Sequence, residues 1–221
     1  MLPEPTESGQ LPAPTTFPAD FVPDAGDALQ IVAALSHAQD REDLDIQLTH
    51  VLKEMLRPAT TSHYRLMRFG PEARVLLSVE LRRGSVKPLL ARPWDPDALP
   101  KLSARPDLNR CFQEQSVVQI PGATGRRPRA LFPVFGASET TGIVELMLDR
   151  PLSPAQERLA FLVLALYRNQ LTLIDYAQRD TLTGLLNRKI FEANFTKLVS
   201  VVGGSVPSII ACRFGSAAAA Q

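Results

Sequence analysis

At residue 62 the apolar pattern of this chain changes from a helical period to a period of two. Regular alternation of strand and helix does not follow, and this limits the fold more than any other feature. Upstream, "REDLDIQLTHVLKEMLRP" repeats Leu44, Leu48, Val51, Leu52 and Met55 at helical spacing, leaves Glu42, Asp45, Lys53 and Glu54 for solvent, and ends at Pro58. An earlier helix, "ALQIVAALSHAQ", has Asp27 as its expected cap, with Gln30 three residues on. Downstream, "SHYRLMRF" and "ARVLLSVEL" alternate, with Val75, Leu77, Val79 and Leu81 expected on one face. Gly70 and Pro71 between them mark the turn of an antiparallel pair.

The proline-rich stretch "VKPLLARPWDPDALPKLSARPDLNRCFQEQ" breaks the pattern and contains one short helix, about 106–115, so it reads as an excursion over a sheet face. Strands resume at "SVVQIP", "RALFPVF" and "TGIVELMLD", the last two joined as a hairpin by "GASETT". A long helix then opens on Ser153 as cap, Pro154 at the first helical position and Gln156 closing a capping box. This order excludes a parallel doubly wound plan and predicts an α+β fold, an antiparallel sheet flanked by helices with a long C-terminal helix.

Composition narrows the setting. The 221 residues are 45% hydrophobic, enough for a sizeable core, and 24 Lys and Arg stand against 23 Asp and Glu. That balance gives no expectation of a nucleic acid or membrane partner. Cys111 and Cys212 are far apart, as suits a reducing compartment. The N-terminus is acidic and proline-rich instead of basic then apolar, so residues 1–24 are expected to be a disordered leader and the protein cytoplasmic. "LAFLVLAL" is far shorter than the roughly 20 residues a membrane helix needs.

The element order, the "ALFPVF" strand followed by "GIVELMLD" and the capped exit helix resemble a GAF domain over about 27–168. Beyond it, "DTLTGLLNRKIF" resembles the opening of GGDEF domains, which make cyclic di-GMP from two GTP molecules. Asp180, Leu182, Thr183, Gly184, Leu185, Asn187, Arg188 and Phe191 stand where that motif has them. By itself the stretch reads as helix, turn, helix, with Thr183 as a capping side chain and Gly184 free to take positive φ, and a plain surface turn accounts for the spacing. The resemblance implies more: a turn joining a signalling helix, 154–180, to an output segment, 180–221.

That family holds magnesium and GTP on an aspartate at the end of the strand after this helix. Around Arg213 and Phe214, where the resemblance would place it, there is no carboxylate, and the second metal ligand, the glycine-rich loop and the guanine-recognising pair are also missing. The tail "GSAAAAQ" reads as a truncation, a frameshift or a cloning scar. No catalytic residue, metal site or cofactor is therefore expected in this chain. Magnesium and GTP enter only if a parent protein carries a complete GGDEF domain. The resemblance thus implies a GAF-type regulatory module of cyclic di-GMP signalling, with a fragment of a diguanylate cyclase and a ligand-free dimerisation module as alternatives.

Two sets of residues carry what remains. His63, Tyr64, Arg65, Trp94, Phe112 and Phe132 are placed to line a pocket between sheet and excursion for an unknown small molecule, or to serve as plain core. Leu159, Leu162, Leu166, Asn169, Leu173 and Tyr176 alternate spacings of three and four, the seam of a parallel coiled coil, so a homodimer through 154–180 is expected. His37, His50 and His63 have no second histidine at ligand spacing.

Overall fold

The computed structural model describes residues 25–69, 72–90, 98–136 and 139–178. The expected leader over 1–24, Trp94, the 180–221 segment with its Asp180–Arg188 motif, and the Asp27 side chain lie outside them. The chain divides into two compact units, Met1–Tyr176 and Ala177–Gln221. Among the described residues no helix is long and apolar enough to cross a membrane.

The first unit opens with helices α1 (Ala25–Ser36) and α2 (Arg41–Leu56) and continues into strands β1 (Thr60–Phe69) and β2 (Glu72–Arg82). The excursion holds a two-residue strand β3 (Leu89–Leu90), a 3-10 turn (Leu102–Ala104) and helix α3 (Pro106–Glu114). Strands β4 (Val118–Ile120), β5 (Arg129–Phe135) and β6 (Thr140–Met147) lead into helix α4 (Pro154–Gln178). The strands form one antiparallel sheet in the order β3-β2-β1-β6-β5-β4, so the first and last long strands lie side by side at its centre. This is the expected α+β architecture, with β3 as an addition that the prolines concealed.

Local chemistry explains the helix ends. Asp40 caps α2 by accepting from the Asp43 amide at 2.9 Å, and Arg57, at φ 49°, closes it before Pro58. The Ser153 hydroxyl accepts from the Gln156 amide at 3.3 Å while the Gln156 side chain accepts from the Ser153 amide at 3.0 Å, a reciprocal capping box on α4. α1 begins two residues ahead of Asp27, which therefore sits in its first turn and not at its cap.

One face of the sheet is covered by α1, α2 and α4. Leu44, Leu48 and Leu52 pack there with Phe132, Val144, Leu146, Val163 and Leu171. Each fully buried leucine contributes about 1.5–3 kcal/mol. The other face carries the excursion, through Leu102, Leu108 and Cys111 on Tyr64, Val75, Leu131 and Ile143.

The expected single stripe on β2 is split. The pairing of β1 with β2 slips between His63 and Tyr64, which face Val79 and Leu77, leaving Ser78 as an extra residue. A one-residue insertion reverses the faces of everything beyond it. Val79 and Leu81 therefore share the helix side with His63 and Thr61, whereas Val75 joins the excursion side and Leu77 is 38% exposed.

Beside this bulge β6 carries Gly142, and the fit leaves no room for a side chain: a Cβ there would lie 2.7 Å from the Tyr64 carbonyl oxygen and 2.9 Å from His63 Nε2. Gly142→Ala is expected to lower unfolding free energy by about 1–3 kcal/mol, the ordinary cost of overpacking, in urea titration. An unchanged midpoint would show that β1 and β6 do not approach this closely.

Candidate functional site

The bulge places a polar cluster inside the helix-side core. Its hub is Asp45 of α2, which is fully buried. Oδ2 accepts from Arg65 Nε at 2.7 Å and from the Ser78 hydroxyl at 2.7 Å, and Arg65 Nη2 is 2.6 Å away. Oδ1 accepts from the Tyr167 hydroxyl of α4 at 2.6 Å. His63 Nδ1 lies 3.2 Å from Oδ2, an ion-pair contact out of line for a hydrogen bond, and its ring meets that of Tyr167 edge-on at 5.9 Å. One carboxylate thus joins α2, β1, β2 and α4.

Burial alone would raise the Asp45 carboxyl. The charges of His63 and Arg65, with the hydrogen bond from Tyr167, more than offset this and hold it well below the usual carboxylate range. Tyr167 moves the other way: burial, then the Asp45 charge, hold its phenol well above its ordinary value, so it remains a donor.

The opposite face of the same strands carries a second polar group. Glu145 of β6, nearly buried, accepts from the Tyr64 hydroxyl at 3.0 Å and from Arg129 Nη1 at 2.9 Å. Arg129 also pairs with Asp107 of α3, and Arg105 lies 5.4 Å over the Tyr64 ring, so the N-terminal end of α3 is tied to the sheet. Burial, followed by the Glu145 charge, raises the Tyr64 phenol. Beside this group is a half-open hollow of about 390 Å³ lined by Thr60, Ser62, Tyr64, Glu80, Arg82, Glu145 and Met147. Its walls offer hydroxyls and carboxylates with one arginine, which suit a small polar ligand.

Of the six residues expected to line one pocket, the five among the described residues are therefore not together. Tyr64 faces the hollow and Phe112 packs, half-buried, against the excursion core. His63 and Arg65 point to the helix side, because neighbours on a strand face opposite ways. Phe132 is buried there too, edge-on to Phe161 of α4 at 5.6 Å. Asp45, expected in solvent, is the most buried carboxylate described; the basic run Gly125–Ala130 reads in the sequence as a solvated loop, yet its Arg129 is partly buried on β5 and bonded to Glu145. Cys111 is buried, with its thiol pushed up to about 12 by burial and by Glu114, which makes it a poor nucleophile.

The expected seam on α4 divides as well. Leu159 is buried in its own core, since the first turns of α4 lie flat on the sheet. Leu162, Leu173 and Tyr176 are 44%, 61% and 71% exposed, Asn169 is exposed and Leu166 is half-buried. Leu162, Asn169, Leu173 and Tyr176 lie well around the helix from the buried line through Val163, Tyr167, Leu171 and Ile174, whereas Leu166 packs against the helix-side core.

No family model matches the chain, and no curated protein matches it. Solved structures do. Residues 122 to 287 of a methyl-accepting chemotaxis protein match at 12% identity and a TM-score of 0.52, over 67% of this chain and 99% of that one. The bacteriophytochrome RpBphP3 from the photosynthetic bacterium R. palustris matches at 11% identity and a TM-score of 0.52, over 79% of this chain and 40% of its own. The chain shares the fold of these two structures. The GAF domain from Acinetobacter phosphoenolpyruvate-protein phosphotransferase superposes more loosely, at 15% identity and a TM-score of 0.49 over 69% of this chain and 92% of that one. Likeness at these identities is one of fold, and what the site does rests on its own residues.

The cluster makes stability pH-dependent in a stated direction. With its folded pKa depressed, Asp45 contributes stability that is fully present above its unfolded value, roughly 3.9, and is lost as pH falls below that. Asp45→Asn should lower unfolding free energy by about 3–5 kcal/mol at neutral pH, because it removes the buried counter-charge of the partly buried Arg65 and breaks the cluster. In urea titrations the gap to the parent protein should narrow below roughly pH 4. A gap independent of pH would mean that the Asp45 charge is not what holds the cluster.

Proposed function

We propose that this chain is the sensory and regulatory module of a cytoplasmic cyclic di-GMP signalling protein. It passes the state of the GAF-like unit along α4 to an output segment and makes no cyclic di-GMP itself. The observation that carries this reading is the two-faced character of α4. One face is fixed to the core through the bond from Tyr167 to Asp45 of α2, while the other presents Leu162, Asn169, Leu173 and Tyr176 at seam spacing, with Leu166 at its edge partly packed on the same core.

A helix that only covered its own sheet would have no need of a second apolar line. A seam of this kind suits a second copy of the same helix, with Asn169 as the polar position that fixes register. The GGDEF-like "DTLTGLLNRKIF" begins right after the helix, so the dimer would set the relation of two output segments. The hollow beside Tyr64 and Glu145 is the proposed place of an input ligand. That no carboxylate stands near Arg213 and Phe214 supports the lack of cyclase activity in this chain.

Cysteine crosslinking tests the arrangement. Leu173 and Asp175 are both exposed, and they are about 200° apart around the helix. Leu173→Cys should crosslink two chains under mild oxidation and Asp175→Cys should not, and the parent chain given GTP and magnesium should form no cyclic di-GMP. Equal crosslinking at both positions, or turnover of GTP, would overturn the reading.

A further inference from the structure

Basic residues that are scattered in sequence come together at one end of the sheet. The connections that meet there are α2 to β1, β2 to β3, β4 to β5 and β6 to α4, as the pairing of Thr60 with Arg82 and Met147 and of Arg129 with Met147 requires. The first connection brings Arg57, the second Arg82, Arg83 and Lys87, the third Arg126 and Arg127, and the fourth Arg150, all exposed. Arg83 Nη2 donates to the Arg57 carbonyl at 2.6 Å, and both Arg83 and Arg127 pair with Asp149, which locks all four connections to one another. Asp149 and Glu80, the partner of Arg82, are the carboxylates set against these seven cations, since Lys53 and Glu54 in the last turn of α2 cancel.

Four of the seven, Arg57, Lys87, Arg126 and Arg150, have no side-chain hydrogen bond or ion pair within the described residues. Near them are two exposed aliphatic residues, Val86 in the β2–β3 connection at 83% exposure and Leu89 at the start of β3 at 60%. The net charge of the whole chain, +1, conceals this segregation.

We propose that this end of the sheet is a peripheral docking surface for an anionic lipid bilayer. Val86 and Leu89 would enter the headgroup boundary while the surrounding arginines and lysine meet acidic headgroups. Apolar side chains ringed by cations suit that boundary, where shallow burial and charge attraction add. A nucleic acid would engage the cations but offers phosphates where Val86 and Leu89 need apolar depth. An acidic peptide would likewise leave them in water.

The test is co-sedimentation of the full chain with vesicles of phosphatidylcholine, with and without phosphatidylserine. Binding is expected only to the anionic vesicles, and it should weaken as salt is raised. At roughly five-fold in partition per cation near such a surface, the double variant Lys87→Gln, Arg126→Gln should bind about 25-fold more weakly. Its thermal unfolding should match the parent, since neither side chain has a hydrogen bond or ion pair among the described residues. Val86→Asn, at constant charge, should also bind more weakly. The proposal fails if anionic vesicles do not sediment the protein at low salt or if the variants bind as the parent does. It fails equally if a homopolymeric RNA binds as tightly and Val86→Asn makes no difference.

Discussion

A carboxylate buried without water has to be answered by donors, and at Asp45 the donors come from three other elements. Arg65 on β1, Ser78 at the bulge of β2 and Tyr167 on α4 all reach the same group. An uncompensated charge at this depth costs several kcal/mol, so the cluster forms as a whole or not at all. That requirement fixes the register of β1 against β2, because only the extra residue at Ser78 turns its hydroxyl to the helix side along with His63 and Arg65. It also fixes where along its length α4 meets the sheet.

The two sides of the sheet are thereby set in different ways. The helix side is a large apolar core with one charged hub, whereas the excursion side has a smaller core with the Glu145 group and an open hollow at its margin. His63 and Tyr64, consecutive on β1, belong one to each. A movement of β1 is felt on both faces, at the hollow and at the hub that holds α4. This is the physical basis for reading the unit as a sensor whose output is carried by a helix.

How much of this could be read in the sequence depends on whether a residue's environment is local. The capping box at Ser153 and Gln156 and the Leu44–Met55 stripe involve residues three or four apart, and the structure has both. Asp45 lies beside that stripe at a helical position that solvent or core could claim, and its burial is decided by partners 20, 33 and 122 residues away. The bulge at Ser78 has no glycine or proline to announce it, so four apolar residues of β2 read as one face and turned out to be two. Neighbouring His63, Tyr64 and Arg65 were grouped by proximity in sequence, although alternation along a strand separates them. The basic end of the sheet was hidden for a similar reason, since four connections contribute to it and no single run is long.

The bond from Tyr167 to Asp45 of α2 ties the exit helix into the cluster that also holds β1 and β2. Backbone hydrogen exchange along the chain, compared between the parent and Tyr167→Phe, tests it most directly. Loss of the hydroxyl should speed exchange across α4 from about Val163 to Ile174, with the β1, β5 and β6 amides still protected. Unchanged protection in α4, or a uniform loss over the whole sheet, would contradict the claim that this one bond anchors the helix.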